Sequence, residues 1–188
     1  ILVNSIKNKF IVNDGIIYLD LRFGNLCNLK CRSCNPQNSS QIEKEYNKIY
    51  KTNSSIEEFA ILDGGVKENW YEKEKFWNEL NENLKNIKQI YLAGGEPTLI
   101  DENYKFLQKL VEQGFHKNIE LHFNTNLTNS NPDFLNLISQ FKLTRLCISI
   151  DGFGKVQEYL RYPSKWKSMA KNLKAYADLP TNVVLRVD

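Results

Sequence analysis

Three of the four cysteines fall within eight residues, Cys27-Asn28-Leu29-Lys30-Cys31-Arg32-Ser33-Cys34, in a C-x3-C-x2-C array. Three thiolates this close can grip one face of an iron–sulfur cluster, the usual use of such a run. Three ligands for four irons leave one iron open, and catalytic metal sites in general keep a vacant position where a small molecule can bind and react. A disulfide framework does not suit a chain of 188 residues with its cysteines gathered in one octet. A structural zinc site is the stronger alternative, with His116, His122 or Cys147 as a fourth ligand. Against it, zinc modules usually pair two C-x2-C knuckles and only one such half is present.

The segment before the array, Ile16 to Phe23, is a β-rich run ending at Gly24-Asn25, so the cysteine loop is expected to spring from the C-terminal end of a strand. That is where α/β barrels place their chemistry. Beyond it, Pro36 suits the first turn of a helix over 41–50. Residues 51–66 read as a polar loop, and Trp70 to Leu84 as a helix with a packing stripe of Trp70, Phe76, Trp77, Leu80 and Leu84. Strands are expected at 89–93, 119–123, 144–150 and 182–188. Helices are expected at 101–113, closed by Gly114, at 134–140, started by Asn131-Pro132-Asp133, and at 166–177. Asn13-Asp14-Gly15 signals a turn that could close an N-terminal hairpin. Strands alternating with helices argue for a parallel sheet with right-handed crossovers.

Composition narrows the field. A chain of 188 residues that is 41% hydrophobic and 12% aromatic suits one globular domain. No apolar run approaches the ~20 residues that cross a bilayer. A net charge of +3 lacks the basic surface that nucleic-acid binding demands. A cytoplasmic protein with no membrane or nucleic-acid partner is the expectation. The chain starts at Ile1 and stops inside what reads as a strand, so a fragment of a longer protein is expected as well.

Cys27-x3-Cys31-x2-Cys34 after a hydrophobic strand resembles the signature of the radical S-adenosylmethionine superfamily. Gln89-Ile90-Tyr91-Leu92-Ala93-Gly94-Gly95-Glu96-Pro97, in the expected order, is similar to that family's strand-plus-GGEP element. The resemblance implies an α/β fold, a partial (β/α)6 TIM-like barrel that is C-terminally incomplete here. Residues 1–15 would be an N-terminal extension and 16–188 the core, with a sixth strand beyond Asp188. It implies two cofactors, a 4Fe-4S cluster on Cys27, Cys31 and Cys34, and S-adenosylmethionine.

Further site residues follow from the resemblance. Gly94, Gly95 and Glu96 match the segment that binds the methionyl amino group. Glycine lets a ligand approach the backbone, and a carboxylate accepts a charged hydrogen bond from an ammonium group. Asn124, Thr125 and Asn126 match a threonine–asparagine–glycine segment in which Asn126 replaces the glycine, asparagine being the residue next best able to turn left-handed. Ser149 and Asp151 match an S-x-D-G segment whose side chains reach the ribose, although Asp151 could equally be a helix cap. Ser33 stands where the family commonly has an aromatic residue against adenine, leaving Phe23, Leu26 or a residue beyond Asp188 as substitutes. Arg161 could hold the cofactor carboxylate or a substrate anion, but reads more simply as a surface arginine, and Cys147 as a small buried hydrophobe. His116 and His122 carry no assigned role.

The implied function is a radical enzyme, most like the SPASM or twitch subgroup that often modifies peptides or proteins, served by a reductant such as flavodoxin or ferredoxin. Any auxiliary cluster would lie after Asp188. The alternatives are a radical enzyme acting on a small molecule, like a carboxy-deazaguanine synthase or a glycyl-radical activase, and a non-catalytic metal-binding module.

Overall fold

The computed structural model describes residues 15–50 and 70–187. Strands β1 (Tyr18–Arg22), β3 (Gln89–Ala93), β4 (Glu120–Thr125), β5 (Leu143–Ile148) and β7 (Val183–Val187) form one sheet in that order, every pair parallel. Each strand adds beside the previous one, the sequential winding of a barrel wall, and five strands leave the wall open. The α/β partial barrel expected from the sequence is the fold observed.

The connections are helical: α1 (Ser40–Tyr50) and α2 (Glu74–Asn83) between β1 and β3, α3 (Asp101–Glu112) before β4, and α4 (Pro132–Ile138) before β5. α5 (Lys155–Leu160) and α6 (Trp166–Ala177) precede β7. Gly114 ends α3 in the left-handed region at φ 78°, its N–H on the Val111 carbonyl at 3.0 Å, and Asn131 caps α4 by accepting from the Asp133 N–H at 2.8 Å. The expected stripe is core: Leu80 and Leu84 are buried, and Phe23 stacks on Trp70 and Trp77 with ring centroids 5.1 and 6.1 Å apart.

Alternation along the strands sorts residues onto two faces. Leu21, Ile90, Leu92, Leu121, Phe123, Leu146 and Ile148 are buried in the core cluster with residues of α3, α4 and α6. The opposite face carries Asp20, Arg22, Tyr91, His122, Asn124, Arg145 and Cys147, aligned by register: Asp20 with Tyr91, Tyr91 with His122, His122 with Arg145, Asn124 with Cys147. Cys147 therefore lies on the polar face beside Asn124 and Arg186, not among the apolar side chains of its strand.

One local expectation is corrected and two further features have no counterpart in the sequence pattern. Pro36 belongs to a turn closed by the Asn38 N–H on the Asn35 carbonyl, and α1 begins only at Ser40, where buried Ser39 accepts from the Ile42 N–H. α5 carries no periodicity long enough to announce it. The second is a two-residue antiparallel ribbon, β2 (Lys30–Cys31) with β6 (Arg161–Tyr162), too short to leave a pattern. The expected N-terminal turn at 13–14 and the loop at 51–66 lie outside the described residues.

Candidate active site

The loop that leaves β1 is fixed at several points. Gly95 and Glu96 donate their backbone N–H groups to the carbonyls of Gly24 and Leu26 at 3.4 and 2.8 Å. The Ser40 hydroxyl bridges both backbone groups of Cys27 at 3.2 Å, and the Ser39 hydroxyl donates to the Leu29 carbonyl at 2.6 Å. Leu29, between two cysteines of the array, is an anchor only 2% exposed. Next, the β2–β6 ribbon and the Arg32 N–H on the Leu160 carbonyl at 2.8 Å hold the middle of the array. The turn is closed by the Cys34 N–H on the Cys31 carbonyl at 3.0 Å.

Cys27, Cys31 and Cys34 thus line one cleft of about 370 Å³, within the usual range of small-molecule sites. None forms a disulfide. Burial pushes all three thiols upward, Cys31 to about 11, where the nearby Arg161 guanidinium works in the opposite direction. These thiols are poor acids until a cation arrives, which is the usual linkage of metal binding to thiol deprotonation.

The same cleft is lined by Gly94, Gly95, Glu96, Asn124, Thr125, Asn126 and Ser149, every expected site residue except Asp151. Glu96, 1% exposed, ties the ends of two strands together. Its Oε1 accepts from the Thr98 N–H and hydroxyl at 3.2 and 2.7 Å and from the Thr125 hydroxyl at 2.9 Å. Its Oε2 accepts from the Asn126 N–H at 2.7 Å. Burial raises its pKa against these bonds.

The two glycines have a steric reason. A Cβ on Gly94, at φ 104°, would fall on the Gly24 carbonyl, and one on Gly95 would fall on the carbonyls of Asn25 and Leu26. Backbone of the cysteine loop fills the space that side chains would need. Asn126 is not the left-handed residue of its turn; Leu127 is, at φ 58° and fully buried. The Asn126 side chain instead reaches the cysteine loop, donating to the Asn28 side chain at 3.1 Å and to the Cys27 sulfur at 3.9 Å.

Asp151 stands behind the cleft and accepts from Arg161 Nη2 at 2.8 Å. Gln157, fully buried, accepts from the Asp151 N–H at 2.8 Å and donates to the Ser149 carbonyl at 3.3 Å, holding the loop after β5. Arg161 is not a surface residue: its side chain is 17% exposed and lines the cleft. The signal that could have found it is its place in the chain after S-x-D-G. Phe23 is sealed in the aromatic cluster and Leu26 is absent from the cleft wall, so neither lies where a ring in the cleft would meet it. Asp20, Arg22 and Tyr91 line the cleft without having been singled out, although alternation in β1 and β3 places them there.

His116 packs edge-on against Phe141 and His122 sits between Tyr91 and Arg145 in register, both away from the cleft. Neither is placed to complete a zinc site with the array. Among the described residues no three His, Cys, Asp or Glu converge as a single ion requires. The donor set fits a cluster: three reduced thiols around one cleft, on a loop pinned by backbone bonds.

The fold is thus an open parallel α/β barrel with three thiols on the loop that follows its first strand. Residues 21–187 match the family model of the Radical SAM superfamily, and the chain belongs to that superfamily. Its members are enzymes that use a 4Fe-4S cluster and S-adenosylmethionine. The crystal structure of SuiB from Streptococcus suis is similar in fold, with a TM-score of 0.54 and 16% identity over 92% of this chain and 32% of that one. Native anSMEcpe with bound AdoMet has a TM-score of 0.55 and 19% identity over 90% of this chain and 43% of that one. The chain thus spans less than half the length of either. No curated protein matches it. Among the described residues, no helix is long and apolar enough to cross a membrane.

Proposed function

We propose that this chain is the cofactor-binding core of a radical enzyme in which Cys27, Cys31 and Cys34 hold the cluster and the rest of the cleft holds S-adenosylmethionine. When bound, the pair supplies reductive cleavage of S-adenosylmethionine to a 5′-deoxyadenosyl radical that takes hydrogen from a substrate. The observation that carries the reading is the convergence of the three thiols with the ends of β3, β4 and β5 on one cleft.

In this reading Gly94 and Gly95 bring backbone to the methionyl group, and Glu96 Oε2, with one protein donor, keeps a lone pair for its ammonium. Arg161, steadied by Asp151, presents a guanidinium to its carboxylate. Asn124 faces the cleft, while Thr125 and Asn126 act mainly through Glu96 and the cysteine loop. The Ser149 side chain is available to the ribose, and Asp151 acts through Arg161 rather than on the sugar. Substrate enters over the polar sheet face, whose Asp20, Tyr91, His122 and Arg145 favour a polar group, on a peptide, a protein or a small molecule. A SPASM or twitch extension with an auxiliary cluster, and a flavodoxin or ferredoxin as reductant, complete the proposal.

Anaerobic reconstitution with iron and sulfide, then dithionite and S-adenosylmethionine, tests it. Wild type should form 5′-deoxyadenosine and Cys31→Ala should not. A chain that binds only zinc, or a cluster that never engages S-adenosylmethionine, returns the site to a structural role.

A further inference from the structure

Four of the exposed large apolar residues fall within ten positions: Phe153 is 76% exposed, Val156 56%, Tyr159 62% and Tyr162 54%. Phe153 packs edge-on to Trp166 with centroids 4.7 Å apart, and Val156 and Tyr159, three apart on α5, share one side of that helix. Exposed apolar surface gathered in this way marks an interaction site. Cations are interleaved with the rings. Arg32 lies over the Tyr159 ring at 4.5 Å and Lys30 over the Tyr162 ring at 5.3 Å. These cations come from the cysteine array itself, so the patch is continuous with the loop that carries the three thiols.

Charge is concentrated on the same two segments. Residues 27–34 and 151–167 contain Lys30, Arg32, Lys155, Arg161, Lys165 and Lys167 against Asp151 and Glu158, and Glu45 pairs with Lys30 from α1, which leaves the face with a net positive charge. Arg32 and Lys155 have no carboxylate partner among the described residues. The patch is also as close to the cleft as a surface can be, since Cys31 is the register partner of Arg161 and Tyr162 follows directly.

We propose that this aromatic and basic face, centred on α5 and the β2–β6 ribbon, is the docking surface for a small acidic one-electron carrier protein that reduces the cluster. The inference rests on the cysteine site being the cluster site proposed above. One electron leaves the reduced carrier, which is oxidised by one, and enters the cluster, which is reduced by one; no atom is transferred. Opposite charge on the carrier steers and orients the encounter, and a small patch of rings gives a contact that forms and releases quickly, as transient redox interfaces do.

The test uses the reconstituted chain with reduced flavodoxin as the donor, followed by bleaching of cluster absorbance in a stopped-flow instrument. Calorimetry of oxidised flavodoxin binding gives a readout that needs no turnover. Lys155→Glu and Phe153→Ser should slow flavodoxin-driven reduction and weaken binding by about tenfold or more at low ionic strength. Added salt should slow wild type in the same way. Reduction by dithionite, which needs no docking, should be unchanged in both variants, and Lys105→Glu on α3 should alter nothing. Wild-type rates with flavodoxin in both variants overturn the proposal. So does a dimer that Phe153→Ser dissociates, which gives the face to a second copy. If wild type takes up no iron, the cysteine reading itself fails, a result visible before any carrier is added.

Discussion

The two faces of the central sheet are built from alternate residues of the same five strands, yet they have opposite chemistry. On the covered face Ile90, Leu92, Leu121, Phe123 and Ile148 are at most 1% exposed. On the open face, positions one residue away are Tyr91, His122, Asn124 and Arg145, none of them buried. A packed barrel fills its interior with branched aliphatic side chains; this wall does not. The covered face supplies the stability and the open face is left for chemistry, so mutations should divide along the same line.

The largest effect is expected at the centre of the covered face. Phe123 is 1% exposed and meets Phe134 edge-on at 5.9 Å. Phe123→Ala removes that contact and leaves a cavity, so a loss of roughly 3–5 kcal/mol is expected. Tyr91→Phe on the open face should move stability by no more than about 0.5 kcal/mol. Urea unfolding of both variants checks the division. Equal costs would mean that the open face is also a packed core.

Next comes the seam where the two strand ends meet. Gly95→Ala forces a methyl group onto the Asn25 and Leu26 carbonyls, at a cost of roughly 1–3 kcal/mol. Because those carbonyls belong to the cysteine loop, iron uptake should fall along with the melting temperature. Gly114→Ala is the companion: its Cβ meets nothing within 4 Å, so it pays only for its left-handed φ and should lower stability without altering iron uptake.

Glu96→Gln follows. An amide keeps one acceptor oxygen, but its nitrogen only donates, so either the Asn126 N–H or the Thr98 and Thr125 donors lose their acceptor. Loss of roughly 1–3 kcal/mol is expected from the unsatisfied buried donors. S-adenosylmethionine affinity should drop at least tenfold while iron content is preserved, by calorimetry and iron assay respectively. Unchanged affinity would confine Glu96 to the brace between β3 and β4.

Much of this division was legible in the sequence. The period of two in Glu120-Leu121-His122-Phe123 places both faces correctly, and the residues of the cysteine array and the GGE segment are ones that line the cleft. What escaped has a physical reason in each case. α5 and the β2–β6 ribbon are held by tertiary bonds from Gln157 and Arg32, not by local pattern. The place of Arg161 is set by that ribbon, and its position after S-x-D-G is the one sequence signal for it. The apolar neighbours Leu146 and Ile148 suggest a core place for Cys147, although those side chains lie on the other face. The left-handed turn falls on Leu127, one residue beyond Asn126, whose backbone and side chain tie the strand end to Glu96 and the cysteine loop.

The smallest effect separates the faces by pH. His122 is surrounded on the open face by Tyr91 on β3, Glu120 on its own strand and Arg145 on β5. Burial and the Arg145 charge lower its pKa, and Glu120, itself held by Lys142, offsets only part of this. The folded chain therefore binds a proton at His122 less readily than the unfolded chain, where histidine titrates near about 6.5. Above that pH both states are neutral at this site and it contributes nothing. As pH falls below it, the unfolded chain takes up the proton that the folded chain resists, and stability is lost. Between pH of about 7.5 and 5.5 wild type should lose slightly more stability than His122→Asn, the shift being damped by solvent at this partly exposed site. Urea midpoints of wild type and variant at both pH values measure it. A wild type that gains stability relative to the variant on acidification would mean that Glu120, not Arg145, governs the imidazole.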